Sequence, residues 1–542
     1  MDEEYRKIKG IKDLKNIFIN IFPIFFRGKN GIGIFSMCVY RLLKEEKGIY
    51  KKYAKINNDL FEIKTLFKNK IGIKHGKYIY YFNIYKASIN TDKVKEYPPQ
   101  NLFNIVFKNR KTEIKFPVVY NAIYYKNYLG KVGVLKKIDN NLTCYFRQTK
   151  MNSIALTVRK NNVTDKFSER IKIFFAKILS LITPKKDIIL LYEKECNKYE
   201  ESASVVYERL IDKGYNNTYF IIRKTSKHNE FIKEKYKKNI IYAFTFKHYY
   251  YYFKCNKFIG TETVPHSIEL RAANSLITRK MIKKKYKQVF LQHGVMYMVA
   301  LNPVSRGGFL KGGNEMPMDA KIVVSSKLER EHFTSLGGFN DDDLYVTGLP
   351  FYDRTIKNKN ADKIVIMLTW RSWEYNILQS NYKESNYYKM INKIIKNIPK
   401  EYKDKLIVLP HPLILDFFKN TDLNKYIPDI ISYDKILEDT NLLITDYSSI
   451  SYSAFYRGSN VIFCFEELED CMKHYQSHLM LNEKNIFGDI SYKYEDINEL
   501  VKRNYLKPQK EKYKKNYKEI VEFDDNKNTE RLIKCLKKDK FI

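Results

Sequence analysis

From Asp187 onward, short unbroken apolar runs alternate with stretches whose apolar residues recur every three or four positions. That is the pattern of strands buried on both faces and separated by amphipathic helices. Ile188 to Leu191, Tyr219 to Ile222, Ile240 to Ala243, Lys257 to Gly260, Val289 to Gln292 and Lys321 to Ser325 read as strands, with a helix over Glu201 to Lys213. After a switch at Thr347-Gly348-Leu349-Pro350 comes a second series: Ile364 to Leu368, Leu406 to Leu409, Leu442 to Ile444 and Val461 to Phe463, closed by helices over Ile497 to Tyr505 and Asn528 to Lys537. The alternation predicts an α/β fold with two mostly parallel sheets, in domains spanning 187–348 and 349–542. Two such domains in tandem form a cleft between their strand ends.

The first 160 residues follow another pattern. Residues 1 to about 48 predict one or two helices broken by the turn Gly28 to Gly33. Tyr78 to Tyr85, Phe116 to Tyr125, Leu142 to Arg147 and Ser153 to Val158 are rich in Tyr, Val, Ile and Thr and read as strands. This gives a mixed α/β domain over 1–160 with no chemistry of its own. A segment at 161–186 then predicts a linking helix, Phe167 to Thr183, capped by Asp165 or Thr164 and stopped by Pro184. Phe167, Ile171, Phe174, Ile178, Leu181 and Ile182 share one face, and Lys185-Lys186 follow. Such a face is expected to pack on a core; an amphipathic helix lying on an anionic membrane surface is the alternative.

A chain of 542 residues is too long for a single core, so about two to four domains are expected. A hydrophobic content of 44% excludes global disorder. The 98 Lys+Arg against 61 Asp+Glu leave a formal charge of +37, which favours polyanionic partners. Part of it follows from a composition rich in residues with AT-rich codons. The seven cysteines show no C-x-x-C pair, so neither a zinc site nor a disulfide framework is expected, and a reducing cytoplasm is the simpler home. The start, Met1-Asp2-Glu3-Glu4, is not a basic leader, and the apolar run Asn16 to Phe26 is too short to span a bilayer. A soluble or peripheral protein is expected.

The chemistry collects at strand ends. Leu442 to Ile444 runs into Thr445, Asp446, Tyr447, Ser448 and Ser449, and a helix follows that ends at Gly458. Hydroxyls and free N–H groups at such a junction suit a phosphate; a simple helix cap by Asp446 is the plainer reading. Of nine histidines, only His293 and His411 stand directly at the end of an apolar strand, one in Gln292-His293-Gly294 and the other in Pro410-His411-Pro412. Thr369-Trp370-Arg371 ends another.

In that order the four motifs resemble the CDP-glycerol glycerophosphotransferases, the teichoic acid primases and polymerases, over roughly residues 187 to 525. The resemblance implies a GT-B-like fold, two Rossmann-like domains facing a cleft, with the CDP-polyol donor held by the C-terminal domain and the acceptor side on the N-terminal one. It implies that His293 and His411 are essential. It also implies transfer of a polyol phosphate, glycerol phosphate first, to a hydroxyl of a membrane-linked acceptor or polymer with release of CMP, and peripheral attachment to the inner face of the cell membrane. The sequence departs from the pattern around the first histidine. Family members often carry Trp before it and Thr-Pro-Leu-Lys after its Gly, where this chain has Gln292 and Val295-Met296-Tyr297-Met298.

The residue chemistry fits beside the resemblance. Loss of CMP from a CDP-polyol requires the diphosphate charge to be stabilised. Arg371 as a fork can do this, with Gly294, Thr369, Thr445, Asp446, Ser448 and Ser449 as further substrate-binding candidates. His293 is assigned as the base for the acceptor hydroxyl and His411 to the diphosphate. No metal site or cofactor is called for. A GT-B glycosyltransferase using a nucleotide sugar is the first alternative, and a non-catalytic polyanion binder the second. No nucleic-acid motif is present.

Overall fold

The computed structural model describes residues 17–20, 24–43, 45, 49–67, 73–76, 78–97, 100–109, 112–120, 133–148, 154–184, 186–283, 286–303, 309–312, 316–374, 377–378, 381–411, 414–419, 421–429 and 432–542. They form two compact units. One gathers the described residues of Met1–Lys185, Phe244–Lys254 and Glu269–Lys285; the other those of Lys186–Ala243, Cys255–Ile268 and Tyr286–Ile542.

The first unit is built on a twelve-stranded sheet. Within it the ladder Gln100–Lys108, Lys51–Ile56, Asp59–Phe67, Tyr78–Asn90, Gly31–Leu43, Ile17–Asn20, Glu113–Tyr120 returns to Gln100–Lys108, so the sheet closes into a barrel. Its neighbours pair antiparallel except Ile17–Asn20 with Glu113–Tyr120. Tyr40, Phe61, Tyr85, Phe103, Phe107 and Phe116 fill the interior. Strands therefore stand at Ile17–Asn20, Ile24–Gly28 and Gly31–Leu43 where helices are expected, and the described part of this sheet domain is β rather than mixed. The reason lies in Gly31–Leu43. Ile32, Ile34, Cys38, Tyr40 and Leu42 point inward, but the alternate positions Phe35, Met37 and Val39 are apolar as well, so the period of two is hidden. The expectations for residues 1–16, 121–125 and Ser153 lie outside the described residues.

The helix Phe167–Ile182 also belongs to this unit. Neither expected cap acts: Lys166 is the N-cap residue, with no side-chain bond, and Asp165 instead pairs with Arg159 at 2.6 Å. Its buried side is Glu169, Ile173 and Ala176, packed with Phe246–Lys254, and Glu169 accepts the Tyr249 hydroxyl at 2.8 Å. Small Ala176 and a bonded Glu169 thus form the seam. The predicted core face is the exposed one, with Phe167 79%, Leu181 70% and Ile182 74% exposed. The expectation of a core-packed apolar face is overturned. No helix among the described residues is long and apolar enough to cross a membrane.

The second unit holds two parallel sheets. The first runs in the order Ile240–Tyr242, Thr218–Ile222, Ile189–Tyr192, Lys257–Gly260, Lys287–Phe290, Lys321–Val324, Leu344–Val346. The second runs Leu406–Val408, Lys363–Ile366, Thr440–Thr445, Asn460–Cys464, Asp489–Ser491. The edge strands Leu344–Val346 and Asp489–Ser491, each three residues long, are not anticipated by the apolar runs. The closing helix Asn528–Lys538, expected with the second sheet, returns to the first half. Asp353 accepts the N–H groups of Asn528 (2.8 Å) and Thr529 (2.7 Å), and Asp539 accepts the Tyr345 hydroxyl at 2.6 Å.

Gly260 ends the strand next to Ile189–Tyr192 because the Tyr192 ring lies against it. A Cβ there would stand 2.6 Å from the ring. Tyr192 is fully buried and its hydroxyl is bonded to the Glu262 carbonyl at 2.9 Å, so it cannot swing away. Gly260→Ala is expected to destabilise the protein by about 1–3 kcal/mol, the usual cost of overpacking. Urea unfolding checks this. Adding Tyr192→Leu should recover part of the loss, whereas no loss, or no recovery, would mean that the contact is not limiting.

Candidate active site

Parallel strands deliver their carboxyl ends to one edge, and in the first sheet three loops meet there. Tyr192 pairs with Gly260, and Gly260 with Phe290, so Lys194, Glu262 and Gln292 follow at equivalent depth. His293 comes next. Its Nδ1 lies 3.3 Å from the Thr261 carbonyl oxygen. The His293 side chain is exposed to solvent, with the protein packed around its loop. That surrounding protein pushes its pKa below the ordinary histidine value. The Thr261 carbonyl and Glu262 oppose the shift, and the charges of Lys194 and Lys198 reinforce it.

Three non-glycine residues beside His293 hold positive φ: Gln292 (59°), Glu195 (50°) and Cys196 (56°). Each costs of order 1–3 kcal/mol and persists only where the surroundings over-determine it. They do so here. Glu262 accepts the Glu195 N–H at 2.9 Å, Arg223 donates to the Glu195 carbonyl at 3.0 Å, and Gln292 donates to the Val323 carbonyl at 2.6 Å. Beyond His293, buried Glu329 accepts the N–H groups of Met296 (2.7 Å) and Ser325 (2.6 Å) and so pins the loop. The chain then crosses to the second half. Val299 bridges Leu479, and Ala300 N–H donates to the His478 carbonyl at 2.9 Å.

In the second sheet, buried Asp446 ties two strand ends together. It accepts the Thr369 N–H at 3.0 Å and the Thr369 hydroxyl at 2.7 Å. Burial pushes its carboxyl up, and Arg371 and Thr369 pull it back. Thr445 is spent on the Met367 carbonyl at 2.5 Å. Arg371 is only 2% exposed. Its guanidinium donates to Glu467 at 2.6 Å and to the Met390 sulfur at 3.1 Å. Burial works against its charge, but the carboxyl groups of Glu467 and Asp446 outweigh that and hold it protonated. The open fork expected of Arg371 is therefore an internal brace, and Thr369, Thr445 and Asp446 likewise serve the framework.

Five expected residues remain at the accessible rim. Ser448 and Ser449 are part-exposed at the start of the helix Ile450–Arg457, whose end is capped by left-handed Gly458. Gly294 faces them: a Cβ at Gly294 would stand 3.3 Å from Ser449 Oγ. The histidine loop of one sheet thus touches the serine loop of the other. His411 stacks on Trp370 with ring centroids 5.7 Å apart and planes at 20°. Burial lowers its pKa to about 4, helped by the charge of Lys194. Pro412 lies outside the described residues. Lys194 acts on both imidazoles, and a reading of motifs overlooks it and Lys198. The one available signal was their place just after an apolar strand run. No group of His, Cys, Asp or Glu among the described residues is arranged to hold a metal.

Residues 174–538 match the family described as CDP-glycerol:poly(glycerophosphate) glycerophosphotransferase. The minor teichoic acid biosynthesis protein GgaB of Bacillus subtilis (strain 168) is 24% identical over 384 residues, 65% of this chain, and the chain spans 40% of that relative's length. The wall teichoic acid polymerase TagF is similar at a TM-score of 0.47 and 14% identity, over 70% of this chain and 98% of that one. The structure of S. aureus TarS is similar at a TM-score of 0.19 and 14% identity, over 28% and 26%. The family match covers more than half of the chain, which therefore belongs to the CDP-glycerol:poly(glycerophosphate) glycerophosphotransferase family.

Proposed function

We propose that this chain transfers glycerol phosphate from CDP-glycerol to a hydroxyl of a polyol phosphate polymer or lipid-linked acceptor, releasing CMP. The observation that carries the reading is the approach of Gly294 to Ser449, which joins the loops of the two halves. In this GT-B-like reading, the sheet carrying His293 serves the acceptor and the sheet carrying Ser448 and Ser449 serves the donor. The two hydroxyls bind the donor diphosphate, and the N-terminus of the following helix adds its partial positive charge. Lys194 adds positive charge. His293, neutral at physiological pH, takes the proton of the acceptor hydroxyl as its oxygen attacks the phosphorus bearing glycerol. The bond from that phosphorus to the bridging oxygen breaks, and CMP leaves with the electron pair. His411 contacts the diphosphate. The asymmetry between ground and transition state lies in charge, so positioning and stabilisation carry most of the rate.

We place the chain at the inner face of the cell membrane on the same footing. The exposed face of Phe167–Ile182, with Lys172 and Lys177 on its flanks, suits an anionic bilayer surface.

Incubation with CDP-glycerol, CDP-ribitol and UDP-sugars, scoring CMP against UDP, tests the reaction; UDP release alone would make the chain a glycosyltransferase. Three further outcomes are expected. Replacing Ser448 and Ser449 together by Ala should raise donor KM at least tenfold in a folded protein, since each hydrogen bond to a charged ligand is worth about 1.5–3 kcal/mol. An unchanged KM removes these hydroxyls from the donor site.

The pH profile of kcat/KM follows from the sign of the shifts. A base must be unprotonated, so activity is present above its pKa and lost as pH falls through it. For His293 the acid limb should lie below about 6.5, the ordinary histidine value. His293→Ala should lower kcat by about 10²–10⁴-fold and abolish that limb. His411→Ala should keep the limb and weaken donor binding. A limb lost only in His411→Ala would exchange the two roles.

For the membrane, Ile171 and Ile178 are 42% and 39% exposed, so Ile171→Glu with Ile178→Glu should keep the circular dichroism spectrum. The pair should release the protein from phosphatidylglycerol vesicles in a sedimentation assay. Retention on the vesicles by a folded variant would rule the helix out as the contact.

A further inference from the structure

The barrel of the first unit carries a row of lysines, three of which have no ion pair among the described residues. Lys108 pairs across the ladder with Lys51, and Lys64 with Lys86. The antiparallel register of the two middle strands, Tyr53 with Glu62, brings Lys51 beside Lys64 two residues further along. Four lysines thus stand abreast on four consecutive strands, all exposed on the outer surface. Strands are about 4.8 Å apart, so the row spans about 14 Å.

Like charges directly across a ladder are destabilising, and a sheet normally alternates or neutralises them. Here it does not. Glu113, opposite Lys108, is engaged by Lys55 at 3.5 Å. Among the described residues, no ion pair reaches Lys51, Lys64 or Lys108, and Lys86 lies over the Phe26 ring at 4.9 Å, which fixes its ammonium in place. Closure of these strands into a barrel makes the row rigid. A stiff line of evenly spaced cations, without hydrogen-bonding groups arranged to read bases, matches a flexible chain of evenly spaced monoanions.

We infer that this lysine row is a binding site for a linear phosphodiester polyanion, the growing glycerol phosphate polymer. The inference rests on the transferase reading for the identity of the polymer, but on the barrel alone for the site. Binding here is expected to be electrostatic, salt-sensitive and separate from donor binding.

The test is binding of a delipidated poly(glycerol phosphate) chain to the full-length protein without CDP-glycerol, at several salt concentrations. The variant carries Lys51→Gln, Lys64→Gln, Lys86→Gln and Lys108→Gln. Affinity should fall at least tenfold at low salt, and the log–log salt slope should flatten by roughly 2–3, the value for four lost phosphate contacts on a single strand. Donor KM and CMP release with a monomeric acceptor should not change. The thermal midpoint should hold or rise, because repulsion is relieved. Lys64→Gln with Lys86→Gln alone should give about half of the change in slope, which secures the result if the fourfold variant misfolds. Unchanged polymer affinity in the folded variants overturns the inference. So does wild-type binding to poly(dT), or to phosphatidylglycerol vesicles through these lysines, that equals its binding to the polymer at the same salt. Polymer binding lost in the variant, in a protein that releases no CMP, leaves the barrel site standing and removes the transferase reading instead.

Discussion

Buried carboxylates that accept backbone N–H groups are the constraint on which the second unit depends. Glu193 accepts from Glu200, Glu201 and Ser204 at 2.7–2.9 Å, Glu329 from Met296 and Ser325, and Asp446 from Thr369. Each stands at or just after the end of a strand, or opens the helix that follows one. Burial pushes all three carboxyls up, and the donated hydrogen bonds resist it. A buried carboxylate of this kind is costly unless every lone pair is used. The loops are therefore held in the one arrangement that satisfies it. That is how loops, the least constrained parts of an α/β fold, become rigid enough to place an imidazole.

The same rigidity explains the left-handed residues and the neutral histidines. Glu195, Cys196 and Gln292 keep positive φ because bonded neighbours leave no alternative. The strained turns carry Lys194 and His293 to one edge. A cation next to an imidazole favours the neutral ring, and a neutral ring can accept a proton on one nitrogen or donate its N–H to a phosphate oxygen. Thr369 and Asp446 are spent on each other, Arg371 on Glu467 and Met390, and Thr445 on the Met367 carbonyl, whereas Gly294, Ser448 and Ser449 stay part-exposed.

The first unit follows different physics. Its barrel is filled by aromatic side chains, and its outer surface sets lysines abreast, with no ion pair to Lys51, Lys64 or Lys108 among the described residues. Its long helix exposes the apolar face that an ordinary core helix would bury. Both features are exposed surfaces, and the proposed polyanion and membrane contacts would cover them.

The sequence alone determined the alternation of strand and helix from Asp187 onward and the places where His293, His411, Ser448 and Ser449 fall. Apolar runs and strand ends are local properties, and a parallel sheet forces its strand ends to one edge. Tertiary structure alone decided the rest. Burial turned Arg371 from a fork into a brace, because Glu467 is 96 positions away in the chain. Contact between Gly294 and Ser449, and the reach of Lys194 to both imidazoles, exist only once the loops of two sheets meet. The barrel was hidden because apolar side chains occupy both faces of Gly31–Leu43, and the exposed helix because periodicity records which side is apolar but not whether anything covers it.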